Sequence, residues 1–292
     1  MLRQKARKWC INVLAAVPGD IKLLYPFYLA NQLTALQEIY ASPRLPQAFD
    51  GLTIAYASDI HYGPYLSEDR AKDLASRITA WQPDLVILGG DYGMDPEWST
   101  AFFHIMPRLH APCGVVAAIG NHDRTGSSDN LSQLTEAMNN VGVMPLVNDC
   151  MHLTREGKQL SICSTDDIKS GTPDLRAVAR KTQSSSFVIF APHSPDIIPA
   201  LHAISTFQAD LALCGHTHGS QVVLFGRSLH SSSKYRDRYR TGWIRENGLD
   251  IMVSNGVGTS LMPVRLGAPA QVHHITLKSA PGGSPYIIRR EG

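Results

Sequence analysis

Five short blocks, strung in order along the chain, carry side chains able to hold divalent metal ions. They are Asp59-Ile60-His61, Gly90-Asp91, Gly120-Asn121-His122-Asp123, His193 on its own, and Gly215-His216-Thr217-His218. Each stands where a hydrophobic run ends, and carboxylate, amide oxygen and imidazole all ligate hard or borderline divalent cations. One such block would mean little. Five of them at the ends of expected strands predict a centre of two metal ions, which in hydrolysis stabilises both the attacking and the leaving oxygen at phosphorus. The expected activity is therefore that of a phosphohydrolase. The competing reading, incidental polar residues in a core, needs many buried ionisable groups without partners, which proteins avoid.

Residues 52–57, 85–88, 115–119, 187–190 and 211–214 read as buried strands that deliver these blocks. Ligands of α/β sheets gather outside the carboxyl ends of strands. An extended chain would point Asp59 and His61 the same way, so that a carboxylate and an imidazole grip one ion. Gly89-Gly90 lets backbone and metal approach closely before Asp91, whose two oxygens make it the natural bridging ligand. Asn121 offers an amide oxygen, and His122 can point at substrate instead. His216 and His218 can reach different ions of a pair, and His193 adds one more nitrogen. The donor set is nitrogen and oxygen without thiolate, which fits Mn, Fe or Zn better than an all-oxygen Mg or Ca site.

Helices are expected over 67–81, 96–109 and 130–141 and before the strands at 187 and 211; a further strand is expected over 160–163. Alternating strands and helices argue for a layered α/β domain, and β-like runs at 221–225, 251–254 and 272–277 suggest a second sheet packed on the first. No internal repeat or low-complexity tract is visible. The expected division is a basic, amphipathic segment 1–45, a main domain 46–280 entered through a Pro-containing linker at 42–50, and a loose tail 281–292.

At 292 residues and 43% hydrophobic, the chain can bury the core of one large domain. A net charge of +2 is too small to imply nucleic acid. The five cysteines are odd in number and lack Cys-x-x-Cys spacing, so they read as reduced core thiols of a cytoplasmic protein rather than a disulfide framework. Arg3, Lys5, Arg7 and Lys8 precede an apolar stretch, 11–17, that stops at Pro18-Gly19-Asp20. That is well short of the ~20 residues needed to span a bilayer. Ile21, Leu24, Tyr25, Tyr28, Leu29, Leu33 and Leu36 then recur at helical spacing. Such a segment suits either an anionic membrane surface on the inner face of the cell or the back of the domain. Lys234 to Arg245 is a basic-aromatic stretch in which Arg236 and Arg240 are the candidate anchors for a substrate phosphate, the alternative being a solvated loop. The histidines at 104, 110, 152, 202, 230, 273 and 274 have no ligand spacing and read as surface or core polar residues.

Asp-x-His, Gly-Asp, Gly-Asn-His-Asp, His and Gly-His-x-His in this order resemble the calcineurin-like metallophosphoesterase superfamily over about residues 51–277. The resemblance implies an α/β fold, a four-layer sandwich of two mixed β-sheets flanked by helices. It implies that Asp59, His61, Asp91 and His218 hold the first ion and Asp91, Asn121, His193 and His216 the second. His122 would be the non-ligating catalytic histidine beside the scissile phosphate, and the nucleophile a metal-bridging hydroxide attacking in line. The implied cofactor is two divalent ions, manganese ahead of iron, zinc, cobalt or nickel. Some family phosphatases orient the histidine with an Asp three residues after the Gly-Asp aspartate. That position is Met94 here, so Asp95 or Asp123 is left to take the role. Leu45-Pro46, Phe49-Asp50-Gly51-Leu52, Thr165-Asp166-Asp167 and the run Gly256-Val257-Gly258-Thr259 to Pro263-Val264-Arg265 are similar to the bacterial YaeI-type phosphodiesterase branch, related to UDP-2,3-diacylglucosamine pyrophosphatases. The partner this implies is a small-molecule phosphodiester, lipid- or nucleotide-linked. The alternatives are a soluble nucleotide phosphodiesterase or monoesterase, or a protein-binding scaffold on the same fold.

Overall fold

The structure, a computed structural model, describes residues 24–124 and 128–291. The first half of the chain runs α1 (Tyr25–Asn31), β1 (Leu33–Ser42), β2 (Thr53–Ala57), α2 (Glu68–Ala80), β3 (Leu85–Leu88), α3 (Pro96–Ile105), β4 (Val115–Ala117), the one-turn α4 (Asn121–Arg124), α5 (Ser128–Asn140) and β5 (Val143–Pro145). The second half runs β6 (Asp149–Arg155), β7 (Lys158–Ser164), α6 (Leu175–Lys181), β8 (Phe187–Phe190), α7 (Ile198–His202) and β9 (Leu211–Cys214). It continues through a hairpin of β10 (Val223–Leu224) and β11 (Arg227–Ser228) to β12 (Gly242–Glu246), β13 (Leu249–Val253), β14 (Ala270–Ser279) and β15 (Tyr286–Glu291). Seven strands form one sheet in the order β15-β1-β14-β2-β3-β4-β5, and six form another, β12-β13-β9-β8-β7-β6. Both are mixed, with parallel centres at β2-β3-β4-β5 and β7-β8-β9-β13.

Side-chain alternation sets the layers. Ile54, Tyr56, Leu85 and Ile87 of the first sheet face Phe187, Ile189, Leu211 and Leu213 of the second. The residues between them, such as Ala55 and Val86, turn outward under α2, α3 and α5. On the other side Val188, Phe190 and Ala212 pack under α6 and α7. Because both faces of the central strands are covered, they read as continuous apolar runs. Ser67, Asp95 and Asp174 cap α2, α3 and α6 by accepting from Arg70, Trp98 and Ala177 backbone N–H groups. The four-layer sandwich expected from the sequence is the observed architecture.

Three expectations are corrected. Helical spacing through Leu36 gives way at Asn31, and residues 33–42 form β1, parallel to β14 and antiparallel to β15. The period-two face there is Leu36, Glu38 and Tyr40, all buried. A buried glutamate hides the pattern, and it is tolerated because His273 Nδ1, Trp243 Nε1 and Arg289 Nε each lie 2.8 Å from its carboxylate. The expected linker 42–50 is packed: Leu45 and Phe49 are buried, and Arg44 pairs with Asp210 at 2.6 Å. The expected loose tail contains β15, whose Tyr286 and Ile288 register with Ala41 and Ile39. The boundaries at 45 and 280 therefore fall within one sheet. The membrane-surface expectation for 1–45 rests largely on residues 1–23, outside the described residues. Among the described residues, no helix is long and apolar enough to cross a membrane. Cys113, Cys150, Cys163 and Cys214 are free thiols.

Candidate metal centre

Every expected donor sits just past the carboxyl end of a strand, and the two sheets bring them to one edge of the sandwich. Asp59 and His61 follow β2, Asp91 follows β3, Asn121 opens α4 after β4, His193 follows β8, and His216 and His218 follow β9. The backbone there is not extended, contrary to the expectation for Asp59 and His61. Asp59, His61, Asp91, His216 and His218 have φ of 52°, 49°, 56°, 69° and 54°. A left-handed conformation costs a non-glycine residue on the order of 1–3 kcal/mol and persists where surrounding bonds over-determine it. Those bonds are present. Asp59 N–H donates to Gly90 O at 2.9 Å, His61 N–H to Asp91 O at 3.1 Å, and Gly258 N–H to Asp59 O at 2.7 Å. Small residues keep the centre open: a Cβ on Gly120 would stand 2.2 Å from Asp91 Oδ1, and one on Gly215 would stand 2.3 Å from Asp59 Oδ2.

Three groups of donors result: Asp59, His61 and His218; His61, Asp91 and His122; and Asp91, His193 and His216, with the ligand atoms of each group within 4.8 Å of one another. Asp91 belongs to two of them. Its Oδ2 lies 3.6 Å from His61 Nε2 and 3.2 Å from His193 Nε2, while Oδ1 accepts from His122 N–H at 2.8 Å. On the other flank, His61 Nε2 and His218 Nε2 face each other at 3.1 Å, and His218 Nε2 is 3.5 Å from Asp59 Oδ1. Asn121 completes the set, its buried Oδ1 without a hydrogen-bond partner among the described residues.

Buried acceptors packed this closely repel unless positive charge lies between them. Burial lowers the pKa of His61 to about 3 and of His216 to about 4, and holds that of His218 well below the usual histidine value. These rings are therefore neutral, the form that ligates a cation. Burial also works against the charge of Asp91, but the His193 ring beside it holds its carboxyl well below the usual range, and Asp91 in turn raises the pKa of His193 against its burial. His193 Nδ1 is engaged by Gly89 O at 2.8 Å and His216 Nε2 by Ser232 O at 3.2 Å, bonds that fix each ring and commit its other nitrogen to the cluster. On the chemistry and placement of these donors, the site fits divalent cations.

His122 differs from the rest. All seven other donors are buried, whereas His122 is part-exposed and lines a cleft of about 280 Å³ above them. Its Nδ1 lies 2.9 Å from Met94 O. A backbone carbonyl thus holds the ring, and neither expected aspartate does. Asp95 caps α3, and buried Asp123 accepts from the N–H groups of Asp91, Tyr92 and Gly120 and from Ser99 Oγ, so it shapes the Gly-Asp turn.

Arg236 and Arg240 are not among the residues lining the cleft; Arg240 donates to Gly226 O at 3.2 Å on the exposed face of its loop. Lys169 and His230 line it instead. His230 was set aside in the sequence for want of ligand spacing. Lys169 was missed although its signal was present. It follows the Thr165-Asp166-Asp167 turn, and Asp167 Oδ2 accepts from Lys169 N–H at 2.8 Å.

The family model described as calcineurin-like phosphoesterase matches residues 52–220, which spans all seven expected ligands and His122. The uncharacterized metallophosphoesterase YkuE of Bacillus subtilis is 28% identical over 260 residues, 87% of this chain and 89% of that one. The phosphodiesterase YaeI of Escherichia coli is 27% identical over 229 residues, 77% of this chain and 81% of that one. Among solved structures, the NAD nucleotidase of Haemophilus influenzae superimposes with a TM-score of 0.48 and 17% identity, over 82% of this chain and 49% of that larger one.

Proposed function

The chain belongs to the calcineurin-like phosphoesterase family, metal-dependent phosphoester hydrolases, and from that premise we propose that it is a phosphodiesterase acting on a small-molecule substrate at the Asp91 centre. The observation that carries the reading is Asp91 itself, its Oδ2 lying between His61 and His193 so that one carboxylate serves both donor groups. Asp59, His61, Asp91 and His218 form the first ligand set, and Asp91, Asn121, His193 and His216 the second. Two divalent cations bound there, manganese ahead of iron, zinc, cobalt or nickel, supply positive charge to the phosphoryl oxygens and lower the pKa of water. Hydrolysis joins a water oxygen to phosphorus, breaks the bond to the leaving alcohol and returns a proton to that alcohol. His122, held at the cleft by Met94 O, is placed to supply that proton. Lys169 offers its ammonium to a non-bridging oxygen of the phosphate.

The test is hydrolysis of bis(p-nitrophenyl) phosphate by chelator-treated protein, before and after Mn²⁺ is restored. Turnover should appear only with metal. No turnover with Mn²⁺, Fe²⁺, Co²⁺, Ni²⁺ or Zn²⁺, together with no bound metal, would favour the scaffold alternative. In a His122→Asn variant kcat should fall by about 10²–10⁴-fold for esters with alkyl leaving groups. The fall should be smaller for p-nitrophenolate, which leaves without a proton. Bound metal measured by mass spectrometry should be unchanged; its loss would make His122 a ligand instead.

Lys169→Ala should raise KM about fivefold at low salt with little change in kcat, the size typical of an exposed ion pair. Neutralising Arg236 and Arg240 together should leave KM where it is. The reverse pattern would restore the sequence expectation for those two arginines.

A further inference from the structure

An apolar groove of about 140 Å³ opens beside the phosphate cleft. His218, His230, Ser232, Ser260 and Leu261 line both cavities, so the groove and the cleft share a wall. Val222, Leu229, Leu261 and Met262 supply its apolar side chains, beside the polar Thr217, Ser220 and Gln221. Leu229, Leu261 and Met262 are 66%, 70% and 56% exposed, a cluster of large apolar side chains left in water. Contiguous exposed apolar surface of this kind marks a place where something binds.

The groove is built by specific bonds rather than left over between loops. The Gln221 amide Nε2 donates to Met262 O and Val264 O, both at 3.1 Å, while its Oε1 accepts from Ser260 N–H at 2.9 Å. Val223 N–H donates to Leu266 O at 2.8 Å, and Leu229 N–H to Val222 O at 3.2 Å. The Gln221 and Val223 bonds tie the hairpin to the 260–266 loop, and the Leu229–Val222 bond closes the hairpin itself.

We propose that this groove is a subsite for an aliphatic substituent of the phosphodiester substrate, an alkyl or acyl-bearing alcohol whose chain runs from the phosphate over Leu261 into the space between Leu229 and Met262. The occupant follows from continuity. A group esterified to a phosphate in the cleft meets this groove across the shared wall, and the lining suits carbon better than a sugar or a base. The inference rests on the phosphodiesterase reading and adds to it the chemical class of one ester group.

The experiment uses a series of alkyl p-nitrophenyl phosphate diesters, from methyl to hexyl, with the metal-loaded full chain. Burying methylenes in a half-open groove should raise kcat/KM from methyl to hexyl by at least about tenfold. In Leu229→Asn and Met262→Asn variants the hexyl-to-methyl ratio should fall toward one. Affinities of the matching alkyl phosphonates, measured by calorimetry, should follow the same chain-length trend in the absence of turnover. A flat series in the wild type, in rates and in affinities, overturns the subsite. So does a slope that persists undiminished in both variants, because the chain then binds elsewhere. If no diester is turned over while phosphonate affinity still rises with chain length and falls in the variants, the subsite stands and the phosphodiesterase reading fails.

Discussion

An Asp91→Asn variant is expected to lose turnover by at least about 10³-fold while keeping its fold. The substitution preserves shape and the acceptor for His122 N–H, at 2.8 Å from Oδ1 in the native protein. It removes the one negative charge that both donor groups share. Several kcal/mol of charge stabilisation depends on cations held in that position, and each 1.4 kcal/mol is a factor of ten in rate. The loss should be accompanied by fewer bound divalent ions per chain. The melting temperature of the metal-free protein should fall by only a few degrees, since losing the contact of Asp91 with His193 is partly offset by relief of repulsion with the neighbouring buried carboxylates Asp59 and Asp123. What should disappear is the rise in melting temperature on adding Mn²⁺, which reports binding to the folded state. Wild-type turnover in this variant would place the reacting centre elsewhere.

The parts of this site visible in the sequence are those that need a particular side chain. Short apolar runs ending in Asp, Asn or His predict both the strands and what they deliver, because a strand covered on both faces leaves only its end for chemistry. What the sequence does not display is backbone. The left-handed turns at Asp59, His61, Asp91, His216 and His218 occur in residue types that tolerate them, but nothing in the spacing demands them. The group that holds His122 is a carbonyl, which every residue possesses, so Met94 could not be found by looking for an aspartate. Asp123, adjacent in sequence and of the right chemistry, is spent on three backbone N–H groups and Ser99 Oγ. The arginines at 236 and 240 were suggested by closeness in the chain to His218, whereas the cleft is completed by Lys169, which follows β7. The alternation of β1 is hidden in the sequence because Glu38 interrupts its apolar face, and its partners His273, Trp243 and Arg289 lie far along the chain.

Arg265 carries the second large effect, and it acts through the backbone. Its side chain is fully buried, and among the described residues its hydrogen bonds all go to backbone carbonyls. Nη1 donates to His218 O at 3.2 Å and Ala268 O at 2.9 Å, while Nη2 donates to Asn255 O at 2.8 Å, Gly256 O at 3.1 Å and Gly258 O. Apart from Ala268 O, in the loop that carries Arg265 itself, these carbonyls belong to the two segments that grip the metal ligands. One carries His218. The other presses on Asp59, where a Cβ on Gly256 would stand 2.5 Å from Asp59 Cβ. Burial pulls the guanidinium down to about 9, so it keeps its charge at neutral pH and helps keep His61 and His218 unprotonated.

Replacing Arg265 with Met fills most of the volume but takes the side-chain donor from the Ala268, Asn255 and Gly258 carbonyls, while those of His218 and Gly256 keep the Gln221 and Gln271 N–H groups, a loss of about 3–5 kcal/mol. For a domain of this size that corresponds to a fall of about 10 °C in melting temperature. Activity should fall with it, and Arg265→Lys should rescue little, because one ammonium cannot span carbonyls on both segments as the planar fork does. The contrast with Asp91→Asn separates the two roles. One variant should melt within a few degrees of wild type and fail to turn over, while the other should melt about 10 °C early and bind Mn²⁺ weakly even at temperatures where it remains folded. If Arg265→Met melts within 2 °C of wild type and binds Mn²⁺ as tightly, the two ligand segments hold themselves in place and the guanidinium is dispensable.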